Sequence, residues 1–149
     1  SEAEWAEKGM DKYGLIAQCE GDKAAQVEKV THSTAVQLLS SLGTIESVGV
    51  SLGSFSVSWE LLSTLLREFG AELDAKVGKL DSDPHLWMPM TLSKDAYLHL
   101  MGQKGVPEEK SATHFDRIQS MLDTFRVEFS SSPLSLFGPV DVGQGLYWW

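Results

Sequence analysis

The stretch Thr44–Val77, TIESVGVSLGSFSVSWELLSTLLREFGAELDAKV, changes its period in the middle. Up to Val57, apolar residues alternate with Ser, Glu and Gly. Val48, Val50 and Leu52 share one face, and Phe55 and Val57 share the other. A period of two is that of an extended strand. Gly53-Ser54 offers a hairpin turn or a bulge, so a short two-stranded unit is expected there. From Ser58 the pattern is helical. Trp59, Leu62, Leu65, Leu66, Phe69, Leu73 and Val77 recur at three- and four-residue steps, Ser58 is a natural N-cap and Gly78 a natural stop. One segment thus carries both kinds of regular structure, and the class it implies is α+β.

Outward from this segment helices dominate. Residues 23–42 read as a helix, with Ala24, Val27, Val30, Ala35, Leu38, Leu39 and Leu42 near helical spacing and Gly43 at the end. Ser93 caps a second helix over 94–104, whose inner face is Ala96, Tyr97, Leu100 and Met101. A third runs from a cap at Ser111 or Thr113 to Arg126, burying Phe115, Ile118, Met121, Leu122 and Phe125; Thr113 with Asp116 resembles a capping box. The two ends differ from this core. Residues 1–22 hold Trp5, Met10, Tyr13, Leu15 and Ile16 among helix-interrupting glycines, and residues 127–149 contain the breaker Ser130-Ser131-Ser132-Pro133. The expected architecture is a helix-rich α+β single domain over 23–126 with a short β-hairpin or small sheet. An extended N-terminal arm (1–22) and an apolar, aromatic C-terminal tail (127–149) flank it.

Composition limits the function. The 149 residues carry 12 Lys and Arg against 21 Asp and Glu, a net charge of −9. Such a surface repels a nucleic-acid backbone and an anionic lipid face, so no nucleic-acid partner is expected. Apolar runs are only a few residues long, far short of the roughly 20 a transmembrane helix needs. The lone cysteine, Cys19, cannot close an internal disulfide. The chain starts at Ser1, with small and acidic residues and no leader, as a processed organellar protein or a trimmed chain would.

Candidate chemistry is sparse. Asp81-Ser82-Asp83 sets two carboxylates in a loop, a pair able to bridge Mg²⁺ or Mn²⁺ to a diphosphate; the competing reading is a solvated turn. His32, His85, His99 and His114 show no metal-site spacing, and Ser54 lies outside any nucleophile elbow. No catalytic group, metal site or cofactor is therefore assigned. Two segments look instead like docking surfaces. Leu86-Trp87-Met88-Pro89-Met90 concentrates large apolar side chains, with Trp87 and Met88 the candidate contacts and a buried connecting strand the alternative. The tail carries Leu134, Leu136, Phe137, Tyr147, Trp148 and Trp149 without helical periodicity, and these need a groove on their own domain, on a partner, or at a membrane interface.

The stretch from Thr44 to Phe125 resembles part of a known family. Gly53-Ser54-Phe55-Ser56-Val57-Ser58, the helix after it, and above all Asp83-Pro84-His85-Leu86-Trp87-Met88-Pro89-Met90-Thr91-Leu92 are similar to a segment of plastid-type UTP–glucose-1-phosphate uridylyltransferases. The resemblance implies a detached or degenerate sugar-nucleotide module. The family's glycine-rich nucleotide loop is missing, and no catalytic residue carries over. The expectation is accordingly a non-catalytic accessory subunit of a larger organellar complex, with a plastid and a photosynthetic assembly implied by the resemblance. Its partners would be protein subunits, with peripheral membrane contact and no transmembrane segment. The alternative is a sugar-nucleotide-binding module using Asp81 and Asp83.

Overall fold

A computed structural model describes residues 1–21, 23–77, 86–130 and 137–143. Its described residues are α+β: six α-helices and one three-stranded antiparallel sheet. They fall into two compact units. The first is Ser1–Ser51 with the described part of Ser135–Trp149, and the second is Leu52–Leu134. The boundaries expected at 22 and 126 are not where these units divide.

The first unit is built on β1 (Gly14–Cys19), which lies between β2 (Lys23–Glu28) and β3 (Ile45–Val50). β1 and β2 form a hairpin in which Leu15 pairs with Val27, Ala17 with Ala25 and Cys19 with Lys23. Gly21, at φ 74°, takes the left-handed turn between them. Leu15, Ala17, Cys19, Ala25 and Val27 are all at or below 1% exposure, and they occupy alternate positions as a period of two demands. Hence residues 1–22 are not an extended arm. Leu15 to Cys19 is the most buried strand of the sheet, and α1 (Glu2–Glu7) precedes it. Ala17 and Cys19 are weak markers of a strand, and their alternation is visible only once β2 is placed beside them.

The helix expected over 23–42 is also corrected. Lys23–Glu28 is strand, Lys29 turns at φ 53°, and only then does α2 (His32–Leu39) begin, capped by Thr31 and followed by a single 3-10 turn. The alanines that favour helix intrinsically are overridden by cross-strand burial. α1 is tied to α2 by side chains. The Glu2 carboxylate accepts from the backbone N–H of His32 (3.1 Å) and Ser33 (2.8 Å), the Trp5 indole donates to Val30 O at 3.0 Å, and the Trp5 and His32 rings meet edge to face. Glu2 is thus a carboxylate on the positive end of α2. Its pKa is lowered chiefly by the Ser33 hydrogen bonds.

The hairpin expected within 44–57 is a single strand. β3 pairs with β1, far back in sequence, and residues 51–58 are neither strand nor helix. A bulge at Gln18/Cys19 sets Cys19 against Ile45 and Gln18 against Ser47, leaving Glu46 as the extra residue. Ile45, Val48 and Val50 therefore share the face of Cys19, Ala17 and Leu15. Residues 137–143, part of the expected tail, have no regular structure, and Val140 is 84% exposed.

The second unit is helical and centres on α6 (Glu108–Glu128). α3 (Trp59–Asp74), α4 (Trp87–Thr91) and α5 (Lys94–Gln103) all pack on it. Ser58 and Ser93 cap α3 and α5 as expected. α6 starts earlier than expected, with Pro107 at its N-cap. Thr113 bonds the Glu109 carbonyl, and Asp116 is paired with Lys94, so the Thr113–Asp116 box is not a cap. The inner stripe of α6 is Ser111, Phe115, Ile118, Met121 and Leu122, and it meets a core of Met88, Leu92, Tyr97, Leu100 and Met101. Segment 87–91 is a helix rather than a connecting strand.

Candidate functional site

The apolar stripe Trp59, Leu62, Leu65, Leu66, Phe69, Leu73 and Val77 read from the sequence is not the packed side of α3; Leu62, Leu65 and Phe69 are only half-buried. The two buried residues of α3 are Leu61 and Thr64, while Trp59 is 72% exposed, Leu66 49% and Leu73 44%, and Val77, beyond the helix, is 92% exposed. At 3.6 residues per turn, the centre of the apolar stripe lies roughly 150° around the helix from the Leu61–Thr64 seam. α3 therefore packs on α6 through one side and presents its apolar side outward.

Ionic contacts explain why that side faces α6. The Arg117 guanidinium on α6 donates to the carboxylates of Glu68 and Glu72 and to the Glu68 carbonyl at 2.7 Å, and it lies 4.4 Å from the centre of the Phe69 ring. Arg67 donates to Glu128 at 2.8 Å. The pairs run in opposite order along the two helices, so α3 and α6 are antiparallel. Thr64 completes the seam by donating to the Glu60 carbonyl at 2.9 Å. The line Thr64, Glu68, Glu72 has an i, i+4, i+8 spacing and was the available signal. Its partner, Arg117, lies too far along the chain for a spacing argument to find. Arg117 holds the Glu72 carboxyl below its usual range, and the two carboxylates push the guanidinium pKa up.

The exposed apolar side chains of α3 are thus Trp59, Leu66 and Leu73, with Leu62, Leu65 and Phe69 half-buried. Glu60 and Asp74 flank them, and neither has an ion-pair partner among the described residues. Nearby in sequence, Phe55 is 69% exposed and its ring meets Trp87 edge to face at 5.3 Å. These side chains leave an apolar surface exposed to solvent.

The docking residues expected from the sequence fare differently. Trp87 is half-buried against Phe55. Met88 is 2% exposed and belongs to the core, because α4 turns it inward beside Pro89; a partner cannot reach it. Phe137 is half-buried. Leu134, Leu136, Tyr147, Trp148 and Trp149 lie outside the described residues, as do Asp81, Asp83 and His85.

Among the described residues no three His, Cys, Asp or Glu side chains are grouped to hold a metal ion. His32 sits on Trp5, and His99 pairs with Gln103 at 3.0 Å. The Cys19 thiol is 1% exposed and its pKa is raised, first by burial and then by Glu46. Among the described residues, one open hollow of about 420 Å³ is lined by Asp123, Thr124, Val127 and Glu128 of α6, and another of about 160 Å³ by Thr64, Arg67, Glu68, Ser120, Met121 and Thr124. Arg67 in the second is already committed to Glu128. Among the described residues no helix is long and apolar enough to cross a membrane. The sequence matches no protein-family model, no curated protein and no solved structure.

Proposed function

We propose that the protein is a non-catalytic binding subunit of a larger assembly, and that it docks through the outward side of α3. The observation that carries this reading is the exposure of Trp59, Leu66 and Leu73 on a helix whose packing seam is elsewhere. The partner segment that fits is an amphipathic helix. Its apolar stripe would lie along α3, and its flanks would carry Lys or Arg to meet Glu60 and Asp74. The excess of carboxylates over the whole chain favours a basic partner surface. The plastid setting rests on the sequence resemblance, and the sugar-nucleotide alternative on that resemblance and on Asp81 and Asp83, which lie outside the described residues.

The test is the native mass of the protein in a gentle extract of its source, with a Leu66→Asp/Leu73→Asp variant beside it. Both positions are solvent-facing, so the variant should keep its circular dichroism and melting behaviour. The expected result is co-migration of the wild type with a large complex and release of the variant from it. A wild-type species no larger than one or two copies of the chain would overturn the proposal.

A further inference from the structure

Among the described residues, the sheet of the first unit ends in an edge strand. β3 is the last strand on its side of β1 among the described residues. Ser51 donates to the Gly14 carbonyl at 2.8 Å, and Gly14, Ile16 and Gln18 of β1 stand opposite Ser51, Gly49 and Ser47. In an antiparallel ladder, alternate residues turn their backbone groups to alternate sides. The N–H and C=O of Ser47, Gly49 and Ser51 thus face β1, and those of Val48 and Val50 face away from it.

This edge carries few of the features that protect natural edges. Ile45–Val50 contains no Pro, Lys or Arg, and its one charge, Glu46, sits in the bulge at the far end from Val50. The face it shares with the core is incompletely covered. Leu15 and Ala17 on β1 are 0% exposed, whereas Val50 opposite Leu15 is 38% exposed and Val48 opposite Ala17 is half-exposed. The apolar layer stops before the last strand.

We infer that β3 pairs antiparallel with β3 of a second copy, about a twofold axis at Gly49. The strand is self-complementary in this register. Val48 meets Val50 of the other copy, so all four outward-facing backbone pairs are satisfied and the valines stand together on the core-side face. Glu46 meets Leu52 of the other copy rather than its own equivalent, so no like charges are opposed across the strands. Gly49 meets Gly49 across the axis at a non-hydrogen-bonded position, where a side chain added to either glycine has nothing within 4 Å in its own chain. The result is one six-stranded sheet. The net charge of −9 on each copy opposes this association at long range, so the dimer tightens as salt is added. It also doubles the number of α3 docking faces per particle, which gives an extended partner two sites to bind.

The test uses the full chain and two cysteine variants. Gly49→Cys places two thiols on the axis, where Cα atoms about 4.5 Å apart suit a disulfide. Gly102→Cys, on α5 with nothing within 4 Å of the new side chain, controls for random collision. Cys19 is 1% exposed and does not compete. Sedimentation equilibrium should show the wild-type mass rising from 16.4 kDa toward twice that value with concentration, and rising further with salt. Mild oxidation should convert Gly49→Cys to a covalent dimer while Gly102→Cys stays monomeric. Val48→Pro removes an outward N–H and no bond to β1, so it should hold the wild-type circular dichroism and remain at the monomer mass. If that variant fails to fold, the Gly49→Cys cross-link still decides. A wild-type monomer at every concentration and salt, or equal cross-linking of the two cysteine variants, overturns the inference. So does an edge that pairs only with an added extended peptide.

Discussion

Ser111→Ala should stabilise this protein, against the usual direction for a substitution in a core. Ser111 is 2% exposed on the inner stripe of α6, in line with Phe115, Ile118 and Leu122, and its Oγ has no hydrogen-bond partner among the described residues. Thr64, Thr91, Thr113 and Thr124 each donate to the carbonyl four residues back in their own helices, and Ser111 does not do so. Hydroxyl burial without a partner costs about 1–3 kcal/mol. Replacing Ser by Ala inside a helix gains roughly 0.5 kcal/mol more. The loss of one oxygen's packing contacts offsets part of this, leaving an expected gain of about 1–2 kcal/mol. For a chain of this length that is a rise in Tm of roughly 2–8 °C. Urea denaturation followed by circular dichroism should show a higher midpoint at unchanged slope. Thr64→Val is the contrasting case. Thr64 is 3% exposed and its hydroxyl is bonded, so its loss should cost about 1 kcal/mol. A lower midpoint for Ser111→Ala would refute the reasoning, since it would require a partner for the hydroxyl. Equal losses at both positions would show that burial alone, and not satisfaction, sets the outcome.

Three other outcomes are expected. Arg117→Met should destabilise by about 1 kcal/mol in urea titration, because the guanidinium loses two carboxylates and a ring contact but is a third exposed to screening solvent. Glu2 has a lowered pKa, so its contribution is present above the ordinary carboxylate range and is lost as pH falls through the folded value. Glu2→Gln should flatten the acid limb in thermal melts below the ordinary Glu pKa of about 4.3. Cys19 has a raised pKa, so its contribution is full below the ordinary thiol range and is lost progressively as pH rises toward the folded value. Cys19→Ala should reduce the alkaline slope, and the wild-type thiol should react with a disulfide reagent only as fast as the chain unfolds.

The α+β class, the caps at Ser58 and Ser93 and the inner stripe of α6 could be read from local pattern, because each is decided within a few residues. The sheet could not. Ala17, Cys19, Ala24 and Ala25 are strand residues by virtue of what stands beside them, and Leu15 finds Val27 and Val50 only after the chain has turned twice. The docking face was partly legible. The stripe from Trp59 to Leu73 is plain in the sequence, but periodicity shows that a face is apolar and not whether something covers it. Its exposure depends on Arg117, which draws the opposite, carboxylate-bearing side of α3 onto α6. Met88 was misread for the converse reason: a concentration of large apolar residues in a short segment is as much the mark of a core as of a contact.

The sheet's order has a bearing on how the chain acquires its structure during synthesis. β2, β1 and β3 all lie before Ser51, and α3 to α6 all lie between Leu52 and Leu134. The sheet can therefore form from one contiguous length of nascent chain, and the helices of the second unit from the next. The central strand emerges from the ribosome first, so both of its neighbours meet a strand already available for pairing. During elongation the outer edge of β3 is complete well before the last helix has been made. Nascent chains on neighbouring ribosomes of one message would present that edge to one another early, and a twofold pairing of identical strands could be established before either chain is released.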